Sequence, residues 1–325
     1  MSEPFFSIVI PVFKTEAFLE QCLKSIKAQI FTDFECIIVN DGSTGVDFQD
    51  FDKFQDADFK PAISVSKVEK SEQLKLIFDS LVAQDSRFKI INKSNGGLSS
   101  ARNAGLKFAT GKWLILVDPD DWVEPDFLRV FAQAITNQKS SKIAIPKFVP
   151  QEFYNTKNRL NLYLPKKITL ANTIHSCTFF SWTQAYSLAI IKFGNLKFDE
   201  KLGRGSKPET RVANDKEDVL FAFEYLNTIE KRFGVDQFEI MDIDPSKYKY
   251  RELQMANKKQ SEQIDHIKYA RYFQQFGFRN KRINVKIITF LLPLWTELRF
   301  YKNPAAKTLR KIISFLFKLI SRCYF

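Results

Sequence analysis

Lys112-Trp113-Leu114-Ile115-Leu116-Val117-Asp118-Pro119-Asp120-Asp121-Trp122 is the stretch on which the reading of this chain turns. An apolar run rich in large side chains stops abruptly at three carboxylates. The run predicts a buried strand. The carboxylates then fall just past its C-terminal end, where open α/β sheets bind ligands. Three negative charges this close repel unless a cation or hydrogen-bond donors share them. Hard oxygen ligands suit Mg²⁺ or Mn²⁺, and such sites leave room for substrate phosphates. The competing reading is a polar turn in which Asp120 or Asp121 caps a following helix. Asp242-Ile243-Asp244 and Asp56-Ala57-Asp58 share the short pattern and are read as ordinary turns.

Upstream, Phe5 to Phe13 predicts a first buried strand. Thr15 is placed to cap a helix whose residues Phe18, Leu19, Cys22, Leu23 and Ile26 recur at helical spacing. Glu35 to Val39 reads as a second strand ending in the polar turn Asn40-Asp41-Gly42-Ser43. Phe88 to Asn92 is a third. Ser99 to Ala109 reads as a helix after Gly96-Gly97. Strand–helix–strand alternation of this kind predicts an α/β sheet with parallel pairing. Residues 47–87 look like an insertion, with a helix at Ser71–Val82. Beyond Val123, Pro125 to Ile135 fits a helix and Lys142 to Ile145 an edge strand. Residues 150–215 have weak periodicity and contain the Gly203-Arg204-Gly205-Ser206 loop. Glu217 to Glu230 is an amphipathic helix with Val219, Leu220, Phe223, Leu226 and Ile229 on its apolar face.

Composition narrows the function classes. Two histidines, His175 and His266, stand apart, which argues against a zinc site or a Ser-His-Asp triad. The four cysteines show no paired spacing, so free thiols in a reducing compartment are expected. Met1-Ser2-Glu3-Pro4 leads straight into a strand, so no signal peptide is expected. The uncharged stretch Ile287 to Thr296 is too short to span a bilayer and contains Pro293.

The net charge is +12, but residues 281–325 hold ten Lys/Arg against the single acid Glu297, which leaves the rest nearly neutral. Lys307, Arg310, Lys311, Ser314, Lys318, Ser321 and Arg322 form a stripe at helical spacing. Leu309, Ile312, Ile313, Phe315, Leu316, Phe317, Leu319 and Ile320 cover the rest. This is the pattern of an interfacial helix on anionic lipid. Packing on the protein body or a homodimer contact is the alternative. Nucleic acid is disfavoured because the apolar face is so dense.

Several motifs then stand in one order. They are Ser7-Ile8-Val9-Ile10-Pro11-Val12-Phe13, Cys22-Leu23-Lys24-Ser25-Ile26 with Gln29, and Ile37-Ile38-Val39-Asn40-Asp41-Gly42-Ser43-Thr44. Asn95-Gly96-Gly97-Leu98-Ser99-Ser100-Ala101-Arg102-Asn103-Ala104-Gly105-Leu106 and Asp118-Pro119-Asp120-Asp121-Trp122-Val123 follow. Together they closely resemble the bacterial family 2 glycosyltransferases, inverting enzymes of the GT-A fold. The resemblance covers roughly residues 5–130 with high specificity and 180–251 with less. It implies a GT-A fold: a Rossmann-like, mixed and mostly parallel sheet flanked by helices, here with a C-terminal helical extension. Residues 1–255 would form the catalytic domain, with a nucleotide-sugar half at about 1–125 and an acceptor half at about 126–255. Residues 256–325 would form the membrane-associating tail.

The resemblance also implies roles. Asp41 would hydrogen-bond the nucleobase, usually uracil, with Pro11 and Val12 walling the same pocket. Arg102 and Asn103 would approach the nucleotide sugar. Asp118, Asp120 and Asp121 match the Asp-x-Asp region that holds metal (Mn²⁺ or Mg²⁺, at Asp120 and Asp121) and donor ribose. Glu217-Asp218 resembles the acceptor-side acidic pair, with Asp218 as general base. Tyr250-Arg251 resembles an element that reaches the diphosphate.

Two departures stand out: Asn40 replaces the first acid of the usual Asp-Asp-Gly turn, and Lys216 replaces the glycine before Glu217. The Gln-x-x-Arg-Trp motif of processive polymerases is missing. The expected activity is therefore transfer of one sugar, from a UDP-sugar, to a surface glycan such as a lipooligosaccharide, capsule or other lipid-linked precursor. The expected location is the cytoplasmic face of the cell membrane, as a peripheral protein. A sugar-phosphate nucleotidyltransferase is the second enzyme class, but Pro11-Val12-Phe13-Lys14-Thr15 lacks the glycine-rich phosphate loop that class opens with. A non-enzymatic basic binding protein is the third reading.

Overall fold

The computed structural model describes residues 3–43, 77–80, 83, 85–147, 183–203, 217–234, 237–249, 308–309, 311–313 and 315–316. Its centre is a five-stranded sheet. The strands are β1 (Phe6–Val12), β2 (Phe34–Asp41), β3 (Phe88–Lys93), β4 (Trp113–Leu116) and β7 (Ala185–Ser187), in the order β3-β2-β1-β4-β7. The first four run parallel, and β7 closes the edge antiparallel to β4. β1 and β2 are buried along their whole length. Both faces are covered, which is why they read as continuous apolar runs rather than alternating ones. β3 is less covered, as suits an edge.

Alternate residues of the sheet feed two cores. Ile8, Ile10, Ile38 and Ile115 join Leu19, Leu23 and Ile26 of helix α1 (Glu16–Lys27) and Phe127 and Phe131 of α3 (Phe127–Thr136). On the other face, Val9, Ile37, Leu114 and Leu116 join Ala101 of α2 (Leu98–Phe108). Leu188, Ile190 and Ile191 of α4 (Leu188–Gly194) pack there too, with Leu220, Phe223, Leu226 and Ile229 of α5 (Glu217–Phe233). Burying a Leu, Ile or Phe contributes about 1.5–3 kcal/mol, so the α5 stripe read from the sequence is a principal anchor of the second face.

Two small two-stranded sheets lie beside the central one. β5 (Trp122–Val123) pairs antiparallel with β9 (Tyr248–Lys249), and β6 (Ile143–Lys147) pairs parallel with β8 (Phe238–Asp242). The architecture is the mixed, mostly parallel sheet expected of a GT-A fold. The insertion at 47–87 is described only in part, with residues 77–80 helical. The expected loop at Gly203-Arg204-Gly205-Ser206 is described only at Gly203, and His175 lies outside the described residues.

Two local expectations need correcting. Thr15 does occupy the N-cap of α1, but its hydroxyl makes no capping bond there, and only its carbonyl accepts from Phe18 and Leu19. The helix after the carboxylates starts at Phe127 with Asp126 at its N-cap, so neither Asp120 nor Asp121 holds that position. Asp244, by contrast, behaves as an ordinary turn acid and accepts from the Ser246 amide at 2.9 Å.

Candidate active site

The parallel strands all point their C-terminal ends to one side of the sheet. β2 delivers Asn40 and Asp41 there, and β4 delivers Asp118 two residues past its end. Asn40, not Asp41, makes the local turn: its Oδ1 accepts the Ser43 amide at 3.0 Å and its Nδ2 donates to Asn92 Oδ1 at 3.0 Å. Asp41 reaches across to the loop before α2. Its carboxylate accepts from Gly97 N at 2.8 Å, Gly96 N at 3.0 Å, Asn95 Nδ2 at 3.3 Å and the Lys93 ammonium. Gly97 has φ 87°, the left-handed region that favours glycine, and this turns its N–H toward Asp41. The carboxylate is buried and its acceptor positions, about four, are matched by these donors. Asp41 thus anchors the Asn95-Gly96-Gly97 turn. Pro11 and Val12, opposite Val39 and Asn40 in β2, are buried beside it. The Lys14 amide donates to Ser43 Oγ at 3.0 Å and ties the two strand ends together.

A buried arginine joins the next two groups. Arg102 of α2 is 2% exposed. Its NH2 group donates to Asp118 Oδ1 at 3.2 Å and its NH1 group to Glu217 Oε1 at 2.9 Å. Burial alone would lower the guanidinium pKa; the carboxylates of Asp118, Glu217 and Asp218 outweigh it and hold it above its ordinary value. One cation therefore links the carboxylate turn to the first residue of α5. Gly203, at φ 94°, lies against the same glutamate, and a Cβ there would stand 3.4 Å from Glu217 Oε2.

The two acids that open α5 differ in kind. Glu217 is buried and ion-paired, whereas Asp218 is half-buried and accepts the Val219 amide at 2.8 Å. Tyr186 of β7 lies within the field of Asp218: burial, then that carboxylate, pushes its phenol well up. It stays a neutral phenol, with the Gln184 amide donating to its oxygen.

Around Asp118 the chain makes a tight turn, closed by Asp121 N to Asp118 O at 3.1 Å. Asp118 and Asp120 keep some exposure, but Asp121 is 2% exposed. The expected ligand Asp121 thus has almost no solvent-facing surface. The Cys22 thiol beneath is pushed well up by burial and then by Cys36 and the carboxylates of Asp121, Asp118 and Asp120. Among the described residues no three His, Cys, Asp or Glu side chains converge as a ready-made cage. That donor set, one or two carboxylates at an open turn, fits Mg²⁺ or Mn²⁺ shared with substrate phosphates rather than a closed all-protein site.

Asn103, next to Arg102 in α2, binds the backbone of Phe198. Its amide donates to Phe198 O at 2.9 Å and accepts from Phe198 N at 2.8 Å, so it pins the chain before Gly203. Ser99 adds a bond to Leu202 O at 2.8 Å. Arg251 lies outside the described residues; β9 carries the chain beside Trp122 as far as Lys249.

Comparison with known proteins agrees with this geometry. The model of the family described as glycosyl transferase family 2 matches residues 7–66 and 69–189. The chain belongs to glycosyl transferase family 2. Among curated relatives it is 28% identical over 235 residues to glycosyltransferase EpsJ of Bacillus subtilis, covering 68% of this chain and 56% of that one. It is 26% identical over 231 residues to the poly(ribitol-phosphate) beta-N-acetylglucosaminyltransferase TarS of Staphylococcus aureus, covering 68% and 32%. The chain thus spans about half the length of these family 2 relatives, or less. The structure of TarS 1–349 with UDP-GlcNAc superposes with a TM-score of 0.58 at 16% identity, covering 97% of this chain and 81% of that one. A mannosyltransferase from Pyrobaculum calidifontis, in complex with GDP-Man and Mn²⁺, gives 0.50 at 15% identity, covering 99% and 83%. At these identities the likeness is one of fold.

Proposed function

We propose that this family 2 member is an inverting, non-processive glycosyltransferase that moves one sugar from a nucleotide diphosphate sugar to an acceptor hydroxyl. The observation that carries the reading is the Arg102 bridge from Asp118 to Glu217, which sets the half-buried Asp218 near the donor-side turn. Asp118 and Asp120 are the accessible acids of that turn, so they would hold a divalent cation together with the diphosphate, in place of the Asp120 and Asp121 pair. When bound, such a cation stabilises the charge that builds on the leaving diphosphate.

The rest follows from this chain's own side chains. Asp218 takes the proton from the acceptor hydroxyl as that oxygen attacks, the role of a general base. Attack on the face opposite the leaving group inverts the sugar through an oxocarbenium-like state. Glu217 is committed to Arg102 and holds the start of α5 in register. Pro11 and Val12 wall the base pocket, and Asp41 reaches the base as Lys93 gives way.

UDP-sugar is the donor class supported by the TarS complex. A surface glycan (lipooligosaccharide, capsule or other lipid-linked glycan) is the acceptor class supported by the tail. Within the described tail residues, Ile313 is 3% exposed and joins the core, while Ile312 and Phe315 are 50% and 63% exposed. These residues touch the body at Ile313 and leave Leu309, Ile312 and Phe315 exposed, which supports a lipid-facing edge. No described helix is long and apolar enough to cross a membrane. The exposed apolar edge at Leu309, Ile312 and Phe315 and the basic excess of residues 281–325 support a peripheral protein on the inner membrane face.

The test is a screen of UDP-, GDP- and CMP-sugars by nucleotide release, with Mn²⁺, Mg²⁺ or EDTA. A UDP-sugar turned over with metal and lost in EDTA supports the reading, as does a β-linked product from an α-linked donor. Full activity in chelator or retention of the α linkage overturns it.

A further inference from the structure

We propose that Gln29, with Ser25, is a positioning residue for the carboxylate turn. The proposal rests on the reading of Asp120 as a metal and donor residue.

The sheet releases the chain early. Val117 N still donates to Val9 O at 3.2 Å, but the bonds that fix residues 118–128 come from elsewhere. β9 supplies some, through its pairing with β5, and Lys247 O accepts the Glu124 amide at 2.8 Å. A second set comes from one line of side chains along α1 and its exit. Cys22 Sγ lies 3.7 Å from Asp118 O. Ser25 Oγ accepts the Val123 amide at 3.2 Å. Gln29 Nε2 donates to Glu124 O at 2.7 Å, and its Oε1 accepts the Leu128 amide at 2.9 Å. Residues 22, 25 and 29 fall at spacings of three and four, so a helical course aligns them on one side. This gives a physical reason for a pattern that composition leaves opaque: two small polar groups and an amide, set among Leu19, Leu23 and Ile26.

Gln29 has the geometry of a clamp. It lies two residues past α1, is 4% exposed, and Nε2 also satisfies Ser25 O at 3.0 Å. A single amide therefore grips the far end of the turn by a carbonyl and an N–H at once. The adjoining Ile30 amide adds a bond to Pro125 O at 2.9 Å. Only a side chain with both a donor and an acceptor at that reach can make both bonds. The two ends of the turn, at Asp118 and at Glu124, are fixed to the same helix. The height of the intervening Asp120 over the sheet is then set by α1.

The experiment measures Mn²⁺ affinity in the presence of UDP by calorimetry, alongside unfolding by urea. Gln29→Met keeps the length and removes both polar groups. It should weaken Mn²⁺ binding by about tenfold or more, the low end for losing a group that orients a metal ligand. Gln29→Glu keeps the acceptor for Leu128 but sets a carboxylate oxygen against the Glu124 and Ser25 carbonyls, so it should not restore Mn²⁺ binding. Glu35→Gln, at the opposite end of β2, serves as a destabilised control and should bind Mn²⁺ as wild type does. If Gln29→Met does not fold, Ser25→Ala takes its place with the same expectation. Wild-type Mn²⁺ affinity in a folded Gln29→Met, or an equal loss in Glu35→Gln, would overturn the proposal. Asp120→Ala separates the two levels: if it too binds Mn²⁺ with UDP normally, it is the metal reading that fails.

Discussion

Replacing Arg102 by methionine removes one guanidinium and strands two carboxylates. The Glu217 side chain is 8% exposed, so its charge loses the partner that compensates for burial. Breaking a buried pair from one side costs about 3–5 kcal/mol. Asp118 keeps 26% of its side-chain surface, so its share is nearer that of a surface pair, about 0–1 kcal/mol. One gain offsets these losses. Arg102 Nε is buried with no hydrogen-bond partner among the described residues, and removing such an atom relieves about 1–3 kcal/mol. The net expectation for Arg102→Met is a loss of about 3 kcal/mol, read as a lower urea midpoint at unchanged slope. Glu217→Met should cost less than Arg102→Met, since Arg102 keeps Asp118. The double variant should fall short of the summed losses by about 2 kcal/mol, the coupling of groups in contact. A loss under about 1 kcal/mol in Arg102→Met, or strict additivity in the double, would refute the claim that this bridge holds the two halves together.

Other expectations follow from the same geometry. Asp120→Ala should abolish metal-dependent UDP binding, checked by calorimetry with and without EDTA, while the urea midpoint stays near that of wild type. Glu35 accepts from Ser7 at 2.6 Å, Lys89 at 2.6 Å, and Thr110 N and Oγ1 at 2.6 and 2.8 Å. Burial would raise its pKa, but these donors win and hold it below the ordinary value. The stability it adds is therefore full above the ordinary glutamate pKa of about 4.3 and is lost as pH falls through the lowered folded value. Glu35→Gln should flatten that limb of a stability-against-pH curve. Truncation at about residue 280 should abolish pelleting with anionic vesicles at low salt, since each nearby Lys or Arg adds about 1 kcal/mol there. A full-length chain that ignores such vesicles would mean that Leu309, Ile312 and Phe315 face protein instead.

What the sequence revealed and what it hid divide along physical lines. β1, β2 and β4 were legible because strands covered on both faces must be apolar throughout, and α5 because its stripe repeats at helical spacing. β7 and α4 were not: three residues and seven are too short for a period to emerge. β5, β8 and β9 are defined by partners far along the chain. The acids of the site were visible as residue types, but their roles depend on distance. Arg102 meets Glu217 from 115 residues away. Asn103, beside it in the same motif, binds the Phe198 backbone 95 residues on. Asp41 looked like a turn residue or a base contact; that turn bond belongs to Asn40, and Asp41 holds a glycine pair 55 and 56 residues on. Burial of Asp121 beside the half-buried Asp118 and Asp120 likewise has no signature in a run of three acids.

The most direct test compares kcat for Asp218→Asn and Glu217→Gln in a nucleotide-release assay with a UDP-sugar the wild type turns over. Asp218→Asn is nearly isosteric and cannot take the proton. It should lower kcat by about 10²-fold or more, with UDP affinity unchanged. Glu217→Gln can still accept from Arg102, so it should lower stability more than turnover. A Glu217→Gln enzyme that is stable but inactive, beside an Asp218→Asn enzyme with wild-type kcat, would contradict the assignment of base and bridge.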